Sequence, residues 1–324
     1  MMNPLLRRKP SVVLVSAEAF PFAGTRASAA GMQALPESLA RLGFDVCLVT
    51  PKYRRPAIEA LSLTPVLRRF LVPVGKDKVP ASAFRAETAI SPLPPVDFSA
   101  VPDPPARRFR AYFIDNVKYF DRERIFGSEK APYLDNDERF AFFCRAVVEF
   151  LRRARIRIDI LHCHDWPSAL IPLFLRTAYD GQRPFRKTAS VLTVHDPAFQ
   201  GDFPPESFAL TGLAWDLFTP ERLAAGGRFN FLAAGLLYAD GLCAGDEAAA
   251  EAVRTGAAGA ELAAVLARRG TWDGRGGGRE KAAGSGTEAR SKVRAEFAVP
   301  ASGRDVAEVY RRALISRKGD SHVR

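Results

Sequence analysis

The sequence predicts an α/β fold, a doubly wound and mostly parallel sheet of Rossmann type. Three features predict it. Apolar runs recur at residues 11–17, 45–50, 159–163 and 190–194, reading S-V-V-L-V-S-A, D-V-C-L-V-T, D-I-L-H-C and S-V-L-T-V. Strands buried on both faces need such runs. Segments with helical spacing of apolar residues lie between several of them, and the intervals leave room for right-handed crossovers.

The first run is followed by a loop over residues 18–27 and a helix over 30–42, where Met32, Leu35, Leu39 and Leu42 share one face. Gly43 suits a C-cap, and residues 45–50 complete a β-α-β unit. Residues 51–107 are proline-rich, with a strand expected at 70–74 and a loop or hairpin edge at 90–105. Residues 109–115 alternate as a strand. A long helix is expected over 136–154, burying Phe140, Phe143, Val147, Val148 and Leu151. The strand at 159–163 ends at His164-Asp165-Trp166-Pro167, where Pro167 suits the first turn of the next helix. The strand at 190–194 ends at His195-Asp196-Pro197. A surface loop over 198–205 follows, then an amphipathic helix capped and started at 215–220 and carrying residues 228–240, and a last short strand at 241–245.

Composition bounds the rest. The 324 residues are 47% hydrophobic, enough for one large or two medium domains. No apolar run approaches the length of a membrane span, and the basic start lacks a signal-peptide core, so a cytoplasmic location is expected. Cys47, Cys144, Cys163 and Cys243 are widely spaced and read as buried free thiols. The net charge of +11 is spread along the chain without a nucleic-acid motif, so neither nucleic acid nor membrane is an expected partner. Residues 251–324 hold 11 of the 24 glycines. The division expected is a domain over 1–250, a disordered Gly/Ala/Arg-rich linker over 251–288, and a tail over 289–324 with a helix at 305–315.

Several motifs carry a resemblance. T-V-H-D-P-A-F-Q-G, W-D-L-F-T-P and R-F-N-F-L-x-x-G-L-x-Y-A-D follow one another between residues 193 and 240. Upstream lie Y-F-D-R, D-N-D-E-R-F and H-C-H-D-W. Together they resemble the N-terminal domain of bacterial glycogen and starch synthases, which transfer glucose from ADP-glucose to an α-glucan. The resemblance implies one half of the two-domain GT-B glycosyltransferase architecture and chemistry that retains anomeric configuration. It implies ADP-glucose and α-glucan or maltooligosaccharide as ligands, and no metal or other cofactor. The family's second domain has no counterpart here, so a partner supplying it is a further expectation.

Site residues follow from the motifs. His195 matches the family histidine that touches the donor glucose, and imidazole offers one donor and one acceptor to a sugar hydroxyl. Asp196 replaces the family asparagine. The donor loop is degenerate: where the family reads K-T-G-G-L-A-D, this chain has Gly24, Thr25, Arg26, Ala27, Ser28, Ala29 and Ala30. Gly24, Thr25 and Arg26 are what remains to meet donor phosphates. Tyr119, Asp121, Asp135, Asn136 and Arg139 are candidates for the glucan side of the cleft, with His164 and Asp165 lining it. Asp135 or Asn136 would equally serve as a helix N-cap. His162 and His164 share one strand face but find no third ligand, so no metal is expected. Three readings stay open: a synthase-like glucosyltransferase homologue with little activity alone, a non-catalytic glucan-binding or synthase-associated protein, and a truncated or frame-disrupted synthase product.

Overall fold

The computed structural model describes residues 9–19, 21–24, 27–89, 108–269, 297–298 and 302–321. The first half builds β1 (Ser11–Val15), α1 (Ala27–Arg41), β2 (Asp45–Pro51), the one-turn α2 (Pro56–Glu59), β3 (Thr64–Val74), β4 (Asp77–Ala89), β5 (Arg108–Asp115) and the one-turn α3 (Val117–Phe120). The second half adds α4 (Asn136–Arg153), β6 (Ile160–His164), α5 (Leu170–Arg176), β7 (Ala189–Val194), β8 (Asp202–Phe203), β9 (Ala224–Ala225), β10 (Arg228–Asn230), α6 (Phe231–Tyr238) and β11 (Gly241–Ala244). Beyond these lie α7 (Glu247–Thr255), α8 (Ala260–Arg269), β12 (Phe297–Ala298) and α9 (Gly303–Ser321).

Nine strands form one sheet in the order β12-β11-β7-β6-β1-β2-β5-β4-β3. From β12 to β5 the pairs are parallel, while β3 and β4 form an antiparallel hairpin at the edge. The α/β class and the mostly parallel sheet expected from the apolar runs are thus observed. All residues of β1, β6 and β7 are buried, as strands covered on both faces must be. The chain winds outward from β1 to β2 and β5, then returns to β6 on the other side of β1. The sheet therefore switches direction between β1 and β6, the place where open α/β sheets hold ligands at the carboxyl ends of their strands.

Helix α4 buries thirteen of its eighteen residues, Phe140, Phe143, Val147, Val148 and Leu151 among them. Asp137 and Glu138 in its first turn and Arg152 and Arg153 in its last complement the helix dipole. The four cysteines are buried and free. Burial pushes the thiols of Cys47, Cys144 and Cys243 up to about 12, which keeps them protonated and inert.

Four expectations change. The helix expected to start at 215–220 and carry 228–240 starts only at Phe231: Trp215–Leu217 makes a single 3-10 turn, and Arg228–Asn230 pairs with both Ala224–Ala225 and Asp202–Phe203 in a second, three-stranded sheet. All eight residues of α6 are buried, so it is enclosed rather than amphipathic, with α5 and α8 packed against it. Leu42 lies past the end of α1 and is 40% exposed instead of joining Leu39 in the core. Residues 251–269, expected as the start of a disordered linker, form most of α7 and all of α8. Leu262, Val265 and Leu266 recur at helical spacing and are buried, which gives that stretch a core face despite its alanine and arginine content. The expected loop at 90–105 and the low-complexity stretch at 274–279 lie outside the described residues. The tail helix is longer than the eleven residues expected. It packs on β7, β11 and α1 through Val306, Val309, Tyr310 and Ala313.

Candidate functional site

Strand β6 ends on His164 and turns sharply at Asp165, whose φ is +57°. The Asp165 N–H still donates to Thr193 O at 2.9 Å, so the turn stays tied to β7. Asp165 Oδ1 then accepts from the N–H of His195 at 2.7 Å and of Asp196 at 3.3 Å. One carboxylate thus shapes the backbone where β7 opens into the loop. Ser168, in the short turn begun by Trp166 and Pro167, accepts from the His164 N–H at 2.8 Å. Burial pushes the Asp165 carboxyl up to about 7. The two N–H donors oppose this, and the nearby Glu18 and Asp196 reinforce it.

Three histidines line up behind this edge. The rings of His162 and His164 lie 4.2 Å apart, and His164 and His195 stack at 5.4 Å. His162 is held by the Tyr310 hydroxyl at 2.7 Å and by Thr193 Oγ1 at 2.6 Å. His164 Nδ1 and His195 Nε2 hydrogen-bond at 3.1 Å. Burial lowers His162 to about 3 and His195 to about 4, the latter against the upward pull of Asp246 and Glu18. Burial, then the two neighbouring imidazoles, hold His164 well below the ordinary histidine range. All three rings are neutral at pH 7.

Two cavities meet at this edge. A small one of about 20 Å³ is bounded by Ser16, Glu18, His164, Asp165, Trp166 and Asp196. A large one of about 800 Å³ has Phe126, Trp166 and Phe203 on its walls and Asn136, Gln200 and Asn230 among its polar groups. Phe126, Trp166 and Phe199 line both, so the two are adjacent and share these three walls. The large cavity is firmly built. Asn230 caps α6 by accepting from the Ala233 N–H at 2.9 Å and donates to Gln200 Oε1 at 2.7 Å. Gln200 also donates to Ala258 O, joining this loop to the α7–α8 turn. Gly201, at φ +62°, sits so close to the Trp166 ring that any side chain there would collide with it. Rings beside amide and charged groups suit a sugar, whose faces are apolar and whose rim is hydroxyl.

The structure sorts the expected glucan-side residues. Asn136 lines the large cavity and donates to Phe126 O at 2.8 Å. Arg139 is fully buried beneath it. Its guanidinium donates to Tyr119 O and Ile125 O, both at 2.9 Å, and to Asn136 Oδ1 at 2.6 Å. Tyr119 is also buried and donates its hydroxyl to Glu138. Asp121 is exposed, 3.5 Å from Arg54. Asp135 does not cap α4 with its side chain; Arg122 takes both its oxygens, at 2.8 and 2.5 Å. Burial raises the Asp135 carboxyl, but the Arg122 bonds and charge outweigh it and hold it below the usual range. Tyr119, Asp135 and Arg139 thus brace the segment ahead of α4, Asp121 sits on the surface, and none of these four lines either cavity. His195 is partly exposed at the strand edge and lines neither cavity, whereas His164, Asp165 and Asp196 line the small one. Gly24 is exposed near the end of the first loop, and Thr25 and Arg26 lie outside the described residues.

Comparison with known proteins supplies the family. Residues 11–268 match the starch synthase catalytic domain, a glycosyltransferase family. The chain belongs to that family. Glycogen synthase 2 of Geobacter sulfurreducens is 36% identical over 259 residues, covering 80% of this chain and 50% of the relative. The glycogen synthase of Thermodesulfovibrio yellowstonii is 35% identical over 260 residues, covering 80% and 51%. The catalytic domain of starch synthase IV from Arabidopsis thaliana, solved bound to ADP and acarbose, superposes with a TM-score of 0.68 at 20% identity, over 90% of this chain and 51% of that one. The chain therefore spans about half the length of the curated relatives it matches, and over that span its fold resembles that of a starch synthase catalytic domain of GT-B type. No described helix is long and apolar enough to cross a membrane.

Sequence reasoning missed several members of this site. Trp166 and Asn230 stood inside quoted motifs, where the side chain next to a named residue proved to be the wall or the cap. Asp240, which closes the last motif, lies at the amino ends of β7 and β11, away from the site, where it accepts from the Ser190 N–H at 2.8 Å while paired with Arg176. Tyr310 gave no local signal, because its partner lies 148 residues earlier.

Proposed function

We propose that this chain is the α-glucan-binding half of a glycogen-synthase-like glucosyltransferase. The large cavity takes a maltooligosaccharide, and the adjacent small cavity marks the reacting end. The single observation that carries this reading is that the two cavities adjoin, sharing Phe126, Trp166 and Phe199, with the small one at the switch point of the sheet. The family supplies the chemistry: glucose from ADP-glucose joins the end of an α-glucan. A partner carrying a second domain would complete the donor site, and the setting is the cytoplasm.

A second reading, a glucan-binding protein without transfer activity, is favoured by a specific feature. Glu18 and Asp196 face the small cavity beside Asp165, and like-charge repulsion from such carboxylates disfavours the phosphates of a nucleotide sugar. Both readings require glucan binding. Affinity electrophoresis through glycogen-containing gels tests it, with Trp166→Ala as the cavity variant. Retardation of the parent chain and its loss in a folded Trp166→Ala variant is expected. Unretarded migration of the folded parent would remove both readings.

A further inference from the structure

We propose that His164 is a positioning residue that fixes the tautomer of His195, holding it with its proton on Nδ1. The proposal starts from the 3.1 Å bond between His164 Nδ1 and His195 Nε2. Both rings are neutral at pH 7, so one nitrogen of that pair donates and the other accepts. Suppose His195 Nε2–H were the donor. The single proton of His164 would then sit on Nε2. That atom is fully buried and has no hydrogen-bond partner among the described residues. An orphaned buried N–H is among the rarest and costliest arrangements in a folded chain. With the opposite assignment, His164 Nδ1–H donates, His195 Nε2 accepts, and the unmatched buried atom is only a lone pair.

The second observation concerns the far side of the His195 ring. A Cβ at residue 245 would lie 2.7 Å from His195 Nδ1 and 3.0 Å from its Cα. Gly245 therefore keeps the space beside Nδ1 open. His195 then offers one hydrogen-bond donor and no acceptor at the carboxyl edge of the sheet. That matches an acceptor oxygen, such as a sugar hydroxyl oxygen, and it narrows the donor-and-acceptor role that imidazole chemistry alone allows. The ligand assignment rests on the glucan reading above; the tautomer does not.

The test reads the tautomer directly. The chain has four histidines, so long-range ¹H–¹⁵N spectra at pH 7.5 are assignable by single substitutions. The parent chain should show His195 with a protonated Nδ1 and an unprotonated Nε2. His164→Leu should release it toward the Nε2–H form, and His164→Asn, whose amide donates from nearly the Nδ1 position, should restore Nδ1–H. A parent spectrum with His195 protonated at Nε2 overturns the proposal without any variant, so a misfolded Leu variant cannot shelter it. An unchanged His195 tautomer in folded His164→Leu overturns it as well. Failure of glycogen retardation with His195 locked at Nδ1–H would sink the glucan reading alone.

Discussion

Tyr310 on α9 and His162 in the middle of the sheet are joined by a 2.7 Å hydrogen bond across 148 residues of chain. Both are buried, and Val306, Val309 and Ala313 lie in the same helix interface. The tail helix is therefore part of the core. Tyr310→Phe should cost about 1–3 kcal/mol, because it leaves a buried imidazole nitrogen without its partner. Deleting residues 303–324 should do far more, since it uncovers the apolar faces of β7 and β11. Urea unfolding of the two variants checks this. A deletion variant as stable as the parent would contradict it.

Acid should destabilise the protein well above the carboxylate range. His162, His164 and His195 all have folded values below the ordinary histidine range. Their contribution is complete above about pH 6.5 and is lost as pH falls toward 4, where the unfolded chain takes up protons first. Asp165 opposes them by one proton, because its folded value is raised. A net uptake of two protons gives a slope of about 3 kcal/mol per pH unit at its steepest. Unfolding free energies at pH 7, 6 and 5 give the comparison. A flat profile over that interval would show that the rings are not neutral and buried together.

Asp165→Asn should stabilise the chain at alkaline pH. The folded carboxyl is pushed up to about 7 by burial, against about 3.9 unfolded. Below pH 4 it is neutral in both states. Between 4 and 7 the stability contributed by the folded proton fades, and above 7 the folded state carries a buried charge. Asparagine stays neutral and keeps an acceptor for the His195 and Asp196 N–H groups. The gain should grow from pH 4 to 7 and level off at about 1–4 kcal/mol. Asp165→Ala, which orphans both donors, should instead lose about 1–3 kcal/mol. Melting curves at pH 5 and 8 separate the two, and an Asn variant that behaves like Ala would refute the raised carboxyl.

The sheet was legible in the sequence because strands buried on both faces leave runs such as S-V-V-L-V that nothing else explains well. The edge of the site was legible too, since His164, Asp165 and Asp196 fall just past such runs. The cavity walls were harder to see. Arg139 and Tyr119 look like sugar ligands by residue type, yet the first turn of α4 faces inward, and a buried guanidinium satisfies carbonyls of the segment above it. Nothing local distinguishes that from an exposed arginine. The R-F-N strand was misread as helix because pairing with Asp202–Phe203 and Ala224–Ala225 is a tertiary effect that overrides local pattern.

Glucosyl transfer is the sharpest remaining test of function. This chain alone is expected to incorporate little or no glucose from ADP-glucose into glycogen. It spans about half the length of its glycogen synthase relatives, and the assay takes these 324 residues by themselves, without what the other half of a relative contributes. Its first loop carries Gly24-Thr25-Arg26-Ala27 where the family resemblance calls for a lysine and paired glycines. Loss of one preorganised charge-stabilising group lowers turnover by about 10² to 10³-fold. Loss of the surface that holds donor against acceptor removes positioning worth roughly 7 to 11 kcal/mol in favourable cases. His195, already bonded to His164 through one ring nitrogen, has a single atom left and cannot replace either. The measurement is labelled-glucose incorporation by the parent and by His195→Ala, beside the glycogen-gel assay. Turnover in the parent that vanishes in the variant would restore a complete enzyme. Retardation by glycogen without turnover would leave the chain as a glucan-binding half that needs a partner to react.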